Sequence, residues 1–152
     1  MEPLVLKRVF PCTKRRLFDA WSKPGLMTQW FFGSQQPRQQ STVNNTFAVG
    51  GHYEVTMHLQ GGDFTMHGEY RAIDRYHHIA LTWSSHIIAN SLVDLRFKEL
   101  SPNRTELTLT QTQFPSEEVR SSHVNGWGLC LDNLEHFVAA VADSADDAAP
   151  LP

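Results

Sequence analysis

Alternation of apolar and polar residues is plainest over 52–73, where 52–59 and 64–73 both follow the period of two that marks a half-buried strand. Gly61-Gly62 between them suits a two-residue primed turn. The predicted hairpin sets Gln60 against Asp63, Leu59 against Phe64, Met57 against Met66, Val55 against Gly68 and Tyr53 against Tyr70. Its other face carries His58, Thr56, Glu54 and His52 opposite Thr65, His67, Glu69 and Arg71. One face of this sheet is therefore packed and the other wet, and a one-residue slip would turn the apolar set toward water.

The same reading extends along the chain. Residues 4–10 predict a first strand, closed by Pro11. Thr13 can cap a helix carrying Leu17, Phe18 and Trp21, and Pro24 can open a second short helix with Leu26, Met27 and Trp30 on its apolar side. Residues 33–45, rich in Gln, Ser and Asn, read as a loop, and 46–49 as a short run before the Gly50-Gly51 turn. Strands are expected at 79–84, 92–100 and 105–114, with Ser101-Pro102-Asn103 turning the chain between the last two. From about Ser116 the period becomes helical, with Trp127, Leu131, Leu134 and Val138 in one row and Cys130, Phe137 and Val141 beside it. So broad an apolar surface predicts a long helix buried on more than one side. The order gives an α+β fold, a meander-like antiparallel sheet with helices. Residues 1–142 form a single domain, and the tail 143–152, without a packing face, is predicted to be disordered.

Several short motifs now stand in register: DAW at Asp19 to Trp21 followed by Pro24 and Trp30, GGxY at Gly50 to Tyr53, GEY at Gly68 to Tyr70, TW at Thr82-Trp83, and GW at Gly126-Trp127 with LDNL at Leu131 to Leu134. In this order they resemble the bacterial stand-alone branch of the family named after the activator of the heat-shock-protein-90 ATPase, within the START-like (SRPBCC) helix-grip superfamily. The likeness spans roughly residues 4 to 141. It implies a six- or seven-stranded curved antiparallel sheet wrapped around a long C-terminal helix, with two short helices after the first strand. Relatives in that superfamily include lipid carriers, hormone receptors, polyketide cyclases and chaperone partners, so the fold does not fix the function. The resemblance carries over no catalytic residue.

Composition narrows the chemistry. A formal net charge of −3 gives no basic footprint for nucleic acid, and the run Lys14 to Arg16 reads as a solvated helix face. Two distant cysteines signal neither a disulfide framework nor a zinc ribbon. With no leader pattern and no run of about 20 apolar residues, a cytoplasmic protein without a membrane span is expected. Among eight histidines, His58 and His67 would be diagonal neighbours near Glu69, but a zinc site needs a third placed ligand, and surface histidines are the better reading. Cys130 between Leu129 and Leu131 reads as an inert buried thiol, no G-x-S-x-G turn is present, and adjacent carboxylates such as Glu117-Glu118 point apart. No metal, cofactor or catalytic residue is assigned.

What remains is the aromatic and methionine content. A curved sheet closed by one helix leaves space that side chains only partly fill, and mostly apolar concavities with few polar groups are what small-ligand sites look like. The expected ligand-binding residues are Trp30, Tyr53, Met57, Met66, Tyr70, Trp83, Phe97, Trp127 and Leu131, with Tyr70 as a polar contact. The expectation is a non-catalytic module for a hydrophobic or amphipathic small molecule, with a homodimer left open. The alternatives are a cyclase- or hydrolase-like enzyme using His86 or His123 in the cavity, and a chaperone or protein-interaction module using an exposed face.

Overall fold

Strand β1 (Leu4–Phe10) leads into α1 (Lys14–Ala20) and α2 (Pro24–Trp30), and these into β2 (Ser34–Gln35), β3 (Arg38–Gln39), β4 (Thr42–Asn45) and β5 (His52–Leu59). Then follow β6 (Gly62–Asp74), β7 (His78–Ser85), β8 (Ile88–Ser101), β9 (Arg104–Thr112) and α3 (Glu117–Ala142). This computed structural model describes residues 2–31, 34–35, 38–39, 41–59 and 61–142, with 34, 35, 38, 39, 59, 141 and 142 described by backbone alone. The tail 143–152 and Gln60 lie outside the described residues, and Asp63, predicted to face Gln60, pairs with His58 instead.

Local chemistry accounts for the element boundaries. Thr13 caps α1, its hydroxyl oxygen accepting the Arg16 N–H at 3.1 Å. Pro24 occupies the first turn of α2, where its missing N–H costs no helical bond. Ser101 pairs with Arg104, so Pro102-Asn103 is the tight turn between β8 and β9. The seven-stranded antiparallel sheet runs β1-β9-β8-β7-β6-β5-β4, while β2 and β3 pair apart from it. The sheet curves, and α3 lies on its inner face, which gives the helix-grip fold.

Three expectations are corrected. First, Leu59 pairs with Gly62, Met57 with Phe64, Val55 with Met66 and Tyr53 with Gly68, so the hairpin register differs by two residues from the predicted one. Gly62 is not a turn residue but the start of β6, where its φ of +134° favours glycine. Because the shift is even, no side chain changes face. Tyr53, Val55 and Met66 are buried on the inner face, while Glu54 and His67 are exposed on the other.

Second, the stretch 33–45, expected to be a loop, contains the strand Thr42–Asn45. Its polar sequence hid it, but a short edge strand with half-exposed side chains is where Thr and Asn are tolerated. Third, α3 buries a single stripe rather than several sides: Trp127, Cys130, Leu131, Leu134 and Val138 are inside, whereas Leu129 is 65% exposed. Each fully buried Leu or Val of that stripe contributes about 1.5–3 kcal/mol.

Candidate functional site

The inner face is filled by rings in sequence. Tyr70 and Tyr53 lie 5.5 Å apart between ring centroids, Tyr53 and Trp83 6.3 Å, Trp83 and Trp127 4.9 Å, and Trp127 and Trp21 6.0 Å. Trp30 continues the row, 4.7 Å from Trp21. Trp21 and Trp30 meet edge-on, a geometry that adds about 0.5–1.5 kcal/mol beyond area burial, while the other pairs of the row are tilted. The polar ends of Trp30 and Tyr70 are satisfied inside the protein, whereas the Trp21 indole N–H is buried with no hydrogen-bond partner among the described residues. The Trp30 indole N–H donates to Ala20 O at 2.9 Å, and the Tyr70 hydroxyl to Asn45 Oδ1 at 2.6 Å. Asn45 in turn donates to Ser22 O at 2.8 Å.

Below α3 a second polar chain is buried. The Trp127 Nε1–H donates to Gln111 Oε1 at 2.8 Å, Gln111 Nε2 donates to Ser91 Oγ at 3.0 Å, and the Ser91 hydroxyl donates to Thr112 O at 2.5 Å. Both Gln111 and Ser91 are 0% exposed, so each bond replaces water that cannot reach them.

The motifs GGxY, GEY and TW meet at one crossing. The Tyr53 hydroxyl donates to Thr82 O at 2.6 Å, and Thr82 Oγ1 accepts the Glu69 N–H at 2.9 Å. At Gly68 a Cβ would stand 1.9 Å from Thr82 O and 2.8 Å from the Tyr53 ring. Only glycine therefore lets β6, β7 and the Tyr53 ring come this close. Burial pushes the Tyr53 phenol well above its ordinary value, with Tyr70 adding to the rise. Burial also raises Tyr70, against a smaller lowering from Asn45. Both hydroxyls stay protonated as fixed donors. Asp19 of the DAW motif is likewise raised by burial, offset in part by Lys23 and Arg15 at 3.7 and 3.8 Å.

Beside Trp83 and Trp127 in the middle of this row, between β5–β6–β7 and α3, a cleft of about 170 Å³ remains. Its sheet side is Met57, Phe64, Met66 and Trp83, with Ser85 and Ile87 at the β7–β8 turn. Its helix side is Ser122, His123, Gly126 and Trp127. Gly126 explains part of this space. The sequence suggests that glycine beside Trp127 permits close helix-to-sheet approach, but a Cβ at 126 would meet nothing within 4 Å. The missing side chain leaves the cleft open instead of bringing the helix down.

Of the nine residues expected to bind ligand, Met57, Met66, Trp83 and Trp127 border this cleft. Trp30, Tyr53 and Tyr70 belong to the row of rings; Leu131 lies on the α3 stripe, and Phe97 packs against Phe18 at 5.3 Å. Phe64 was legible from strand alternation in either register. Ser85, Ile87 and Ser122 carried no sequence signal. His123 is fixed by its own helix, where Nδ1 lies 2.8 Å from Val119 O. A carbonyl can only accept, so Nδ1 carries a proton, and in that tautomer Nε2 is the acceptor.

On the opposite face, the register separates His58 from His67, which are not neighbours. His58 instead lies 3.0 Å from Asp63 and 2.6 Å from the Thr42 hydroxyl. Among the described residues, no three His, Cys, Asp or Glu side chains are grouped as a metal site requires. Nor is any helix among them long and apolar enough to cross a membrane.

Solved structures share this architecture. An AHSA1-like protein from Aeromonas hydrophila superposes with a TM-score of 0.78 at 18% identity, covering 95% of this chain and 96% of its own. An HSP90 activator from Plasmodium falciparum gives 0.74 at 21% identity over 91% and 97% of the two chains. A protein from Rhizobium leguminosarum gives 0.75 at 22% identity over 91% and 95%. At these identities the likeness is one of fold. A comparison with curated proteins gives no match. The model of the family "Activator of Hsp90 ATPase homolog 1-like protein" matches residues 11–139, a span from the end of β1 to the last turns of α3. The chain belongs to that family.

Proposed function

We propose that this domain is a binding module for a small apolar or amphipathic molecule, held in the cleft between the β5–β6–β7 face and α3. The observation that carries the reading is the cleft itself: aromatic rings and methionine thioethers line it, and the helix residue above it is a glycine whose side-chain position is open space. Methionine and aromatic side chains adapt to apolar guests and contact their rings favourably. An enzyme reading fares less well. His123 is the one titratable side chain on the described lining, and its Nδ1 partner is a backbone carbonyl rather than a carboxylate that would stabilise an imidazolium.

The test is a titration with toluene, followed through the methyl resonances of Met57 and Met66 and the indole N–H resonance of Trp127. Saturable shifts confined to these groups are expected in the unmutated protein. In Gly126→Phe, which places a ring in the open space, they should vanish while the thermal midpoint is kept. Absence of saturable shifts in the unmutated protein, or their persistence in the filled variant, would refute the reading.

A further inference from the structure

We infer that the cleft is built for a single-ring hydroxyarene, a phenol whose O–H donates to His123 Nε2 while its ring lies among Met57, Met66, Trp83 and Trp127. This deepens the binding-module reading and rests on it. Three observations set the ligand's size, shape and head group.

Size comes first. A volume of about 170 Å³ is close to the roughly 150 Å³ of a dry apolar cavity that takes benzene. One ring fills this space.

Shape comes from the lining. Trp83 and Trp127, in contact with centroids 4.9 Å apart, form one continuous aromatic wall, and Met57 and Met66 add thioether side chains, whose sulfur is favourable about 5 Å from a ring. A flat aromatic guest gains from both kinds of wall.

The head group follows from charge and tautomer. No Lys, Arg, Asp or Glu borders the cleft among the described residues, so a carboxylate or ammonium entering it would be desolvated without a counter-charge. A neutral donor is what the site can satisfy. His123 holds its Nδ1 proton against Val119 O, and no hydrogen-bond partner for Nε2 is present among the described residues. Phe114 supports the ring, with centroids 5.6 Å apart, so the acceptor is held in place before a ligand arrives. A neutral hydrogen bond of this kind discriminates a ligand bearing the hydroxyl from its isostere without one.

Five titrations by the same resonances test this: p-cresol, toluene and benzoate against the unmutated protein, and p-cresol and toluene against His123→Phe. p-Cresol should bind about tenfold tighter than toluene, the ratio expected of one net hydrogen bond. Benzoate should bind more weakly than either. In His123→Phe, which keeps a ring of similar size, toluene binding should remain and the preference for p-cresol should disappear. Equal binding of p-cresol and toluene by the unmutated protein, a preference that survives in the variant, or tighter binding of benzoate would overturn the inference while leaving the cleft a binding site. Failure of toluene and p-cresol alike would instead remove the binding-module reading on which it rests.

Discussion

Replacing Trp127 by Phe isolates the buried hydrogen bond that ties α3 to the sheet. The indole is 2% exposed, and its N–H donates to a Gln111 carboxamide that is itself 0% exposed. Phe keeps the six-membered ring against Trp83 but strips the donor from Gln111 Oε1. A buried acceptor that loses its partner costs about 1–3 kcal/mol, and the smaller ring adds a packing loss of about 1 kcal/mol. The single variant should therefore lose roughly 2–4 kcal/mol. Gln111→Met alone leaves the indole N–H facing a thioether and should cost about 1–3 kcal/mol. In the double variant neither polar group is stranded, so its loss should fall short of the sum by at least about 1 kcal/mol. Urea unfolding followed by circular dichroism, on all four proteins with a common m-value, measures that coupling. Additivity within about 0.5 kcal/mol would show that the bond contributes nothing and that Trp127 acts through packing alone.

Other expectations follow from single contacts. Gly126→Ala should raise stability by up to about 1 kcal/mol, since helix propensity improves and the new Cβ meets nothing, and a lowered thermal midpoint would show that the space is occupied. Gly68→Ala should be among the most damaging changes in the sheet, costing more than about 3 kcal/mol, because its Cβ would fall 1.9 Å from Thr82 O; a soluble variant with a wild-type urea midpoint would refute this. Burial holds the Asp19 carboxyl above its ordinary value of 3.8, so the folded state keeps that proton longer than the unfolded chain does. Stability attributable to Asp19 thus falls as pH rises from about 4 through its folded pKa, and Asp19→Asn should remove that part of the slope in urea midpoints taken across this range.

Much of the fold was legible because period-two and period-3.6 patterns are strong in this chain. Strands β5 and β6 showed their inner faces, and Thr13 and Pro24 marked the starts of α1 and α2 within a residue. The hairpin register was not legible, since Gln60, Gly61 and Gly62 offer two ways to place a two-residue turn and both leave the same residues inside. Strand β4 was missed because it is short and Asn44 and Asn45 are poor strand formers by propensity; an edge position and the Asn45 bonds to Ser22 and Tyr70 hold them. The site was less legible still. Sequence supplied the aromatic and methionine residues as one set, and only the packing divides them into a filled row and a cleft wall.

That division bears on why family membership leaves the ligand unspecified. The residues by which the chain resembles its family do structural work: Gly68 lets two strands and a tyrosine ring cross, Thr82 receives Tyr53 and Glu69, and Leu131 and Leu134 seat α3. Changing any of them threatens the fold. The cleft is lined mostly by residues outside those motifs, namely Met57, Phe64, Met66, Ser85, Ile87, Ser122 and His123, with Trp83, Gly126 and Trp127 as the overlap. Met57, Phe64, Ser85, Ile87 and His123 are only partly buried or exposed, and their replacement costs the core little. A scaffold so arranged can change the shape and polarity of its cleft without disturbing the crossing of β6 and β7 or the Trp127–Gln111 bond, and so relatives of one fold can hold different guests.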